Sequence, residues 1–260
     1  MVLLLLLFPI IAYASWVAST YPIYHILKAL APNGVEVKLL AGGIKDPHHY
    51  ELKPSDIKLV GDSSRFFHLN SEAFEKNLVK TFPEKSVDLS KNLQLIDGND
   101  PHIWLSPRSY QDLAKSIHAK LIQLDSANRQ HYDKKLEEVL KTLRSLDSEY
   151  SKTLKNCKSR VILSTHMSFA YIARDYGFKA MGLSGVHAEA EPKPSQAKVL
   201  KEARALGASS LFHEPGERVL AKRLAPHLRP IEINISLAGE DLSSIFLSNL
   251  KALSTGLECQ

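Results

Sequence analysis

Short apolar runs alternate with longer mixed stretches along most of the chain. Residues 16–20, 35–40, 65–70 and 86–89 read as strands, and the segments between them read as helices, Ser71 to Thr81 among them. Lys53-Pro54-Ser55-Asp56 has the form of a helix start with proline in the first turn. Strands alternating with helices predict βαβ units and a mainly parallel sheet. Then the punctuation stops, with no Gly between Gly98 and Gly177 and no Pro between Pro107 and Pro192. Two helices are expected there, one from Arg108 to about Leu124 and one from about Asp125 to Asn156. In the second, Tyr132, Leu136, Val139, Leu143, Leu146 and Tyr150 recur at steps of three and four, which is one face of a helix. About 30 helical residues span roughly 45 Å, longer than a small domain is wide, so this helix is expected to run beside two lobes as a rigid strut.

Beyond it the alternation resumes. Strands are predicted at 160–165, 179–183, 209–213 and 230–235, with helices at 168–176, 194–206, 217–225 and 241–253. The expected fold is therefore α/β with two lobes, each a mainly parallel sheet flanked by helices. The first lobe takes residues 15–124, the linking helix 125–156 and the second lobe 157–260.

Composition changes this picture little. With 33 Lys+Arg against 28 Asp+Glu and 44% hydrophobic residues, the chain is an ordinary globular one with a formal charge of +5. Both signs are spread along the helices, so the excess serves solubility and no nucleic-acid partner is expected. Met1 to Ala14 is apolar throughout and too short to cross a bilayer. It ends in Ala12-Tyr13-Ala14, a small-x-small pattern that predicts a signal peptide cut after Ala14, although the basic residue that normally opens one is absent. No Cys stands near the cut, so a free periplasmic protein is expected, without a lipid anchor. In an oxidising compartment Cys157 and Cys259 could pair or remain two thiols, and sequence does not decide between them.

Three of the eleven His residues fall where a strand or loop hands over to a helix: His48, His102 and His166. His166 directly follows the apolar run Val161-Ile162-Leu163, placing it at the carboxyl edge of a parallel sheet, where ligands collect. Imidazoles drawn from two lobes suit a divalent metal, and nitrogen donors favour zinc over oxygen-preferring ions. A loop histidine is also commonly just solvated, so spacing alone does not make a site.

Several segments carry a resemblance that covers the mature chain in order. They are Thr20-Tyr21-Pro22-Ile23-Tyr24, the run from Asp46 to Asp56, Pro101-His102-Ile103-Trp104-Leu105-Ser106-Pro107, His166 with Phe169, Tyr171 and Tyr176-Gly177, and Glu189-Ala190-Glu191-Pro192. Together they resemble the signature segments of the zinc and manganese solute-binding proteins of ABC importers. The resemblance implies Zn2+ as transported ligand, held between the lobes by His48, His102 and His166. It also implies an ABC transporter membrane permease as partner to a monomeric receptor, and no enzymatic activity. Manganese members typically carry Glu at the position of His166, so His points to zinc. The family's fourth, acidic ligand has no Asp counterpart in Ile233-Asn234-Ile235-Ser236, leaving water, Glu214 or Asn234 to fill the position, with water the first choice. The His- and acid-rich loop of zinc members is also missing, since Asp97-Gly98-Asn99-Asp100 is short.

The remaining polar residues have plainer readings. His49, His187 and His213 are expected beside the site and outside the ligand set. Glu51 and Asp100 are candidates to accept the free ring N–H of a ligating imidazole, or else simple turn and helix-start acids. Trp104 and Phe169 are expected to pack the cleft walls. The alternatives are a manganese-binding or adhesin-type member of the family, or a three-His zinc hydrolase. Against the last, the chain has no HExxH, GxSxG, GxxxxGK[ST] or GxGxxG motif. Ligation by neutral imidazoles implies affinity that falls as pH drops through about 6.5.

Overall fold

The computed structural model describes residues 15–40, 50–185, 194–239 and 241–260. The expected signal segment 1–14, together with His48, His49, His187 and Glu189 to Pro192, lies outside the described residues.

In the first lobe β1 (Ser15–Ala18), α1 (Tyr21–Leu30), β2 (Glu36–Leu39), α2 (Pro54–Asp62), β3 (Arg65–His68), α3 (Ala73–Thr81) and β4 (Ser86–Asp88) follow in order. The strands pair in parallel in the order β2-β1-β3-β4. The second lobe repeats the plan with β5 (Val161–His166), α6 (Ala170–Tyr176), β6 (Lys179–Ser184), α7 (Pro194–Ala205), β7 (Ser210–His213), α8 (Arg218–Leu224), β8 (Arg229–Glu232) and α9 (Leu242–Gly256). Its order is β6-β5-β7-β8, again all parallel.

Strand alternation divides the apolar residues. Trp16, Ala18 and Phe67 face a central core while Val17 and Phe66 face an outer one. In the second lobe Ile162 and Phe212 face the same central core, and Val161, Leu163 and Leu211 face the opposite side. Two-faced burial is the reason these strands read as continuous apolar runs.

Between the lobes stand α4 (Pro107–Leu124) and α5 (Arg129–Thr153). Ser106 caps α4 by accepting from the Ser109 amide, and proline occupies its first turn. The 25 residues of α5 span about 37 Å. Tyr132, Leu140, Leu143, Leu146 and Tyr150 form its buried face, which packs on α1 and α4 of the first lobe and α9 of the second. The expected helix from Asp125 to Asn156 is shorter at both ends. At the start the Asp125 carboxylate accepts from Asn128 Nδ2 and Tyr132 Oη, both at 2.8 Å, and a 3₁₀ turn at Ser126–Asn128 precedes the helix. At the end Arg160 Nη1 binds the Leu154 carbonyl at 3.0 Å, and the chain turns into a disulfide between Cys157 and Cys259. That bond joins the foot of the strut to the end of the chain, a pairing the sequence left undecided.

The strand expected at 230–235 stops at Glu232. Past it the Asn249 side chain substitutes for a strand partner, its Oδ1 accepting from the Asn234 amide at 3.0 Å and its Nδ2 donating to the Asn234 carbonyl at 2.9 Å.

Candidate metal site at the lobe interface

In a doubly wound sheet the ligand site lies outside the carboxyl ends of the strands, where the connections diverge to opposite sides. In the second lobe that point lies between β5 and β7, because β6 lies on one side of β5 and β7 on the other. His166 ends β5 and Glu214 follows the last residue of β7. Both are buried, and His166 Nε2 stands 3.9 Å from Glu214 Oε1. The turn after His166 requires Gly182, since a Cβ there would lie 2.8 Å from Met167 Cα.

His102 reaches the same place from the first lobe. It opens a 3₁₀ turn, His102–Leu105, and is 1% exposed. Its ring centroid lies 5.3 Å from that of His166, so the structure brings these two expected ligands together. Two imidazoles on one tetrahedral zinc, with Zn–N near 2.0–2.1 Å, place their ring centres about 5 Å apart, so the spacing fits a shared ion.

Asp100 orients His102. Its Oδ1 accepts from the His102 backbone amide at 2.9 Å and from Nδ1 at 2.7 Å, which selects the tautomer protonated at Nδ1. The carboxylate therefore takes the orienting role, whereas Glu51 is exposed. The loop bearing Asp100 and His102 is held by the other lobe. Tyr171 Oη donates to the Asp100 carbonyl at 2.8 Å and accepts from the Ile96 amide at 3.0 Å, and Trp104 Nε1 donates to the Ile235 carbonyl at 2.8 Å. Trp104 also packs beside His102, with ring centroids 5.4 Å apart, and Phe169 packs on Phe212 at 5.9 Å, so both are wall residues as expected.

Other nearby groups are committed elsewhere. His213 Nδ1 binds the Glu214 carbonyl at 2.8 Å. The Asn234 side chain closes its own loop, Oδ1 accepting from the Ala238 amide at 3.0 Å and Nδ2 donating to the Ala238 carbonyl at 2.7 Å. Glu217 was not singled out in the sequence, yet its Oε2 accepts from Thr165 Oγ1 at 3.0 Å and from the Glu214 amide at 3.1 Å. The signal was present in Glu214-Pro215-Gly216-Glu217, an acid closing a turn back onto its own start. Among the described residues no group of three or more His, Cys, Asp or Glu side chains stands so as to hold a metal ion.

A family model described as zinc-uptake complex component A, periplasmic, matches residues 17–253. The chain belongs to this family. The high-affinity zinc uptake system protein ZnuA of Bacillus subtilis strain 168 is 29% identical over 211 residues, covering 71% of this chain and 65% of that protein. The Zn(II)-bound ZnuA-like domain of Streptococcus pneumoniae AdcA is 26% identical with a TM-score of 0.77, covering 94% of this chain and 99% of that one. The laminin-binding protein Lmb of Streptococcus agalactiae, described as bifunctional with adhesin and metal-transporting activity, is 25% identical with a TM-score of 0.81 over the same shares. The chain spans between about half and two thirds of the length of the curated relatives it matches. Members of the ZnuA family are extracytoplasmic binding proteins, not enzymes, which disposes of the hydrolase alternative. Among the described residues no helix is long and apolar enough to cross a membrane.

Proposed function

We propose that this chain is the receptor of a zinc importer. It captures Zn2+ between its lobes with His48, His102 and His166 and passes the ion to an ABC transporter membrane permease. The observation that supports this reading is the pairing of His102 and His166 at 5.3 Å, one from each lobe, with Asp100 holding His102 through Nδ1. The relatives named for zinc uptake and zinc binding support the choice of ion. In this reading residues 1–14 are removed and the receptor works as a monomer in the periplasm, without nucleic acid as a partner. The strut shared by both lobes limits release to small relative motions of the lobes.

The test is metal content and competitive zinc-against-manganese titration of the chelator-stripped chain, beside His48→Ala, His102→Ala and His166→Ala. One zinc per chain is expected, bound more tightly than manganese. Each substitution should weaken binding by more than the about 10–100-fold that loss of an outer-shell partner costs. Binding indifferent to all three substitutions sinks the reading. A second reading, surface adhesion, draws on the likeness to Lmb. It predicts that immobilised chain retains laminin equally well with and without His166→Ala.

A further inference from the structure

We infer that the outer face of the second lobe, built from α7 and α8, is a docking surface for the anionic headgroups of a phospholipid membrane. The inference rests on the receptor reading only for the nearness of a bilayer and is independent of the metal ligands.

Folding sorts charges that look evenly spread along the sequence. Val199, Leu200 and Ala203 of α7 and Leu220, Ala221 and Leu224 of α8 pack into one apolar layer, so both helices cover the same side of the sheet. Their outward sides carry Lys198, Lys201, Arg204, Arg218, Lys222 and Arg223, all exposed, against a single acid, Glu202. Lys179 of β6 takes that acid at 2.7 Å. The excess of five positive charges on these two helices equals the formal charge of the whole chain, +5. On the outer side of the first lobe, α2 and α3 carry three basic residues and three acidic ones.

Helix stability does not account for the arrangement. Arg204, Lys222 and Arg223 stand in last turns, where a cation meets the negative end of the helix dipole. Lys198 and Lys201 do not, and Arg218 opens α8 at the positive end, where a cation is disfavoured. Arg218 and Lys222 lie four apart, and Lys198 and Lys201 three apart, spacings at which like charges repel. Elsewhere the chain pairs opposite charges at these spacings, Lys58 with Asp62 and Lys135 with Glu138. An anionic partner relieves the repulsion on α7 and α8.

The surroundings select lipid as that partner. Val219, 81% exposed, rises among Arg218, Lys222 and Arg223, so an apolar side chain can sink to the headgroup boundary while the cations meet phosphates. Among the described α-helices only α2 is net negative, by one charge, so a second copy offers no acidic helix face to match. The permease proposed as partner is a membrane protein, which keeps the receptor beside a bilayer. His166 stands at the carboxyl edge of the sheet, whereas α7 and α8 cover its side, so a membrane against them leaves His166 clear.

The test is flotation of residues 15–260, which hold every element of the fold, with vesicles of phosphatidylcholine alone or mixed equally with phosphatidylglycerol. Binding is expected to the mixed vesicles only, and it should weaken as salt is raised, because the charges are exposed. Each basic side chain at an anionic surface is worth about fivefold in partitioning. Arg218→Gln with Lys222→Gln should therefore bind about 25-fold more weakly, as should Lys198→Gln with Lys201→Gln. Lys58→Gln with Lys76→Gln, on the outer side of the first lobe, should bind as wild type does. Absence of binding to the mixed vesicles at low salt overturns the inference and leaves the basic face to an acidic protein. Binding that both second-lobe pairs leave unchanged, or that the first-lobe pair abolishes, overturns it as well. None of these outcomes touches zinc capture, which the metal titration decides separately.

Discussion

The two lobes share one sheet plan and hold their candidate metal donors differently. In the second lobe His166 and Glu214 stand at the divergence of β5 and β7, each at the end of a strand held by its hydrogen-bond ladder. The equivalent divergence in the first lobe lies between β1 and β3, where Ser19 donates its amide to the Phe67 carbonyl at 3.0 Å. The histidine ending β3, His68, has its Nε2 paired with Ser86 Oγ at 2.7 Å. The first lobe instead offers His102 from a loop outside its sheet, held by Asp100 and by two bonds from the other lobe. Backbone pairing positions one donor set, and side-chain bonds across the interface position the other. The candidate site therefore draws on both lobes, and the second lobe holds its part by strand pairing.

The covalent staple belongs to the second lobe. Cys157 and Cys259 close a loop across a sequence separation of 102 residues, for which the chain-entropy account gives a stabilisation of about 4.7 kcal/mol. Replacing both by Ser should lower unfolding free energy in urea by about 2–5 kcal/mol, the largest effect expected of any change outside the cores. A loss well under 1 kcal/mol would mean that the bridge Lys158 and Ser159 make with Glu258 and Leu257 already fixes the terminus.

The first lobe holds a buried histidine whose contribution to stability is lost in acid. Burial pushes the His68 imidazole down to about 4, against a smaller upward pull from Asp88. The unfolded chain then takes up this proton from about pH 6.5 downwards while the folded lobe refuses it. Taken alone, this costs up to about 3 kcal/mol as pH falls from 6.5 towards 4, opposed by the Glu75 carboxyl, which burial raises to about 7 so that the folded lobe takes up a proton over the same range. His68→Gln should flatten that loss between pH 7 and 4.5, followed by tryptophan fluorescence, since Trp16 and Trp104 both report on the first lobe. Parallel wild-type and variant curves would clear His68 of the effect.

How much of this could be read from the chain depended on the same contrast. The strand-end place of His166 was legible, because Val161-Ile162-Leu163 is an apolar run whose end must lie at the sheet edge. His102 carries no such flank; its place at a loop-to-helix turn made it a candidate, and only the resemblance made it an expected ligand. The bonds that hold it join residues far apart in sequence, Trp104 to Ile235 and Tyr171 to Asp100, and no local pattern announces them. The lobes, the parallel sheets and the long strut were legible from periodicity. Helix ends shifted where a side chain such as Asp125 intercepted the first turn. Pairing of the cysteines depended on the antiparallel bridge that brings them together, a tertiary fact.

The smallest expected effect tests the contrast most directly. Asp100→Asn leaves an oxygen beside His102 Nδ1 but removes the charge that fixes the ring, and losing such a partner costs about 10–100-fold in metal affinity. Glu217→Gln is the matching change in the second lobe, weakening the clasp on Thr165 and Glu214. Because β5 is paired on both sides and keeps His166 in place without that clasp, Glu217→Gln should cost less zinc affinity than Asp100→Asn in the same competition titration. Equal losses would mean that strand pairing does not hold its donor more firmly than a loop does.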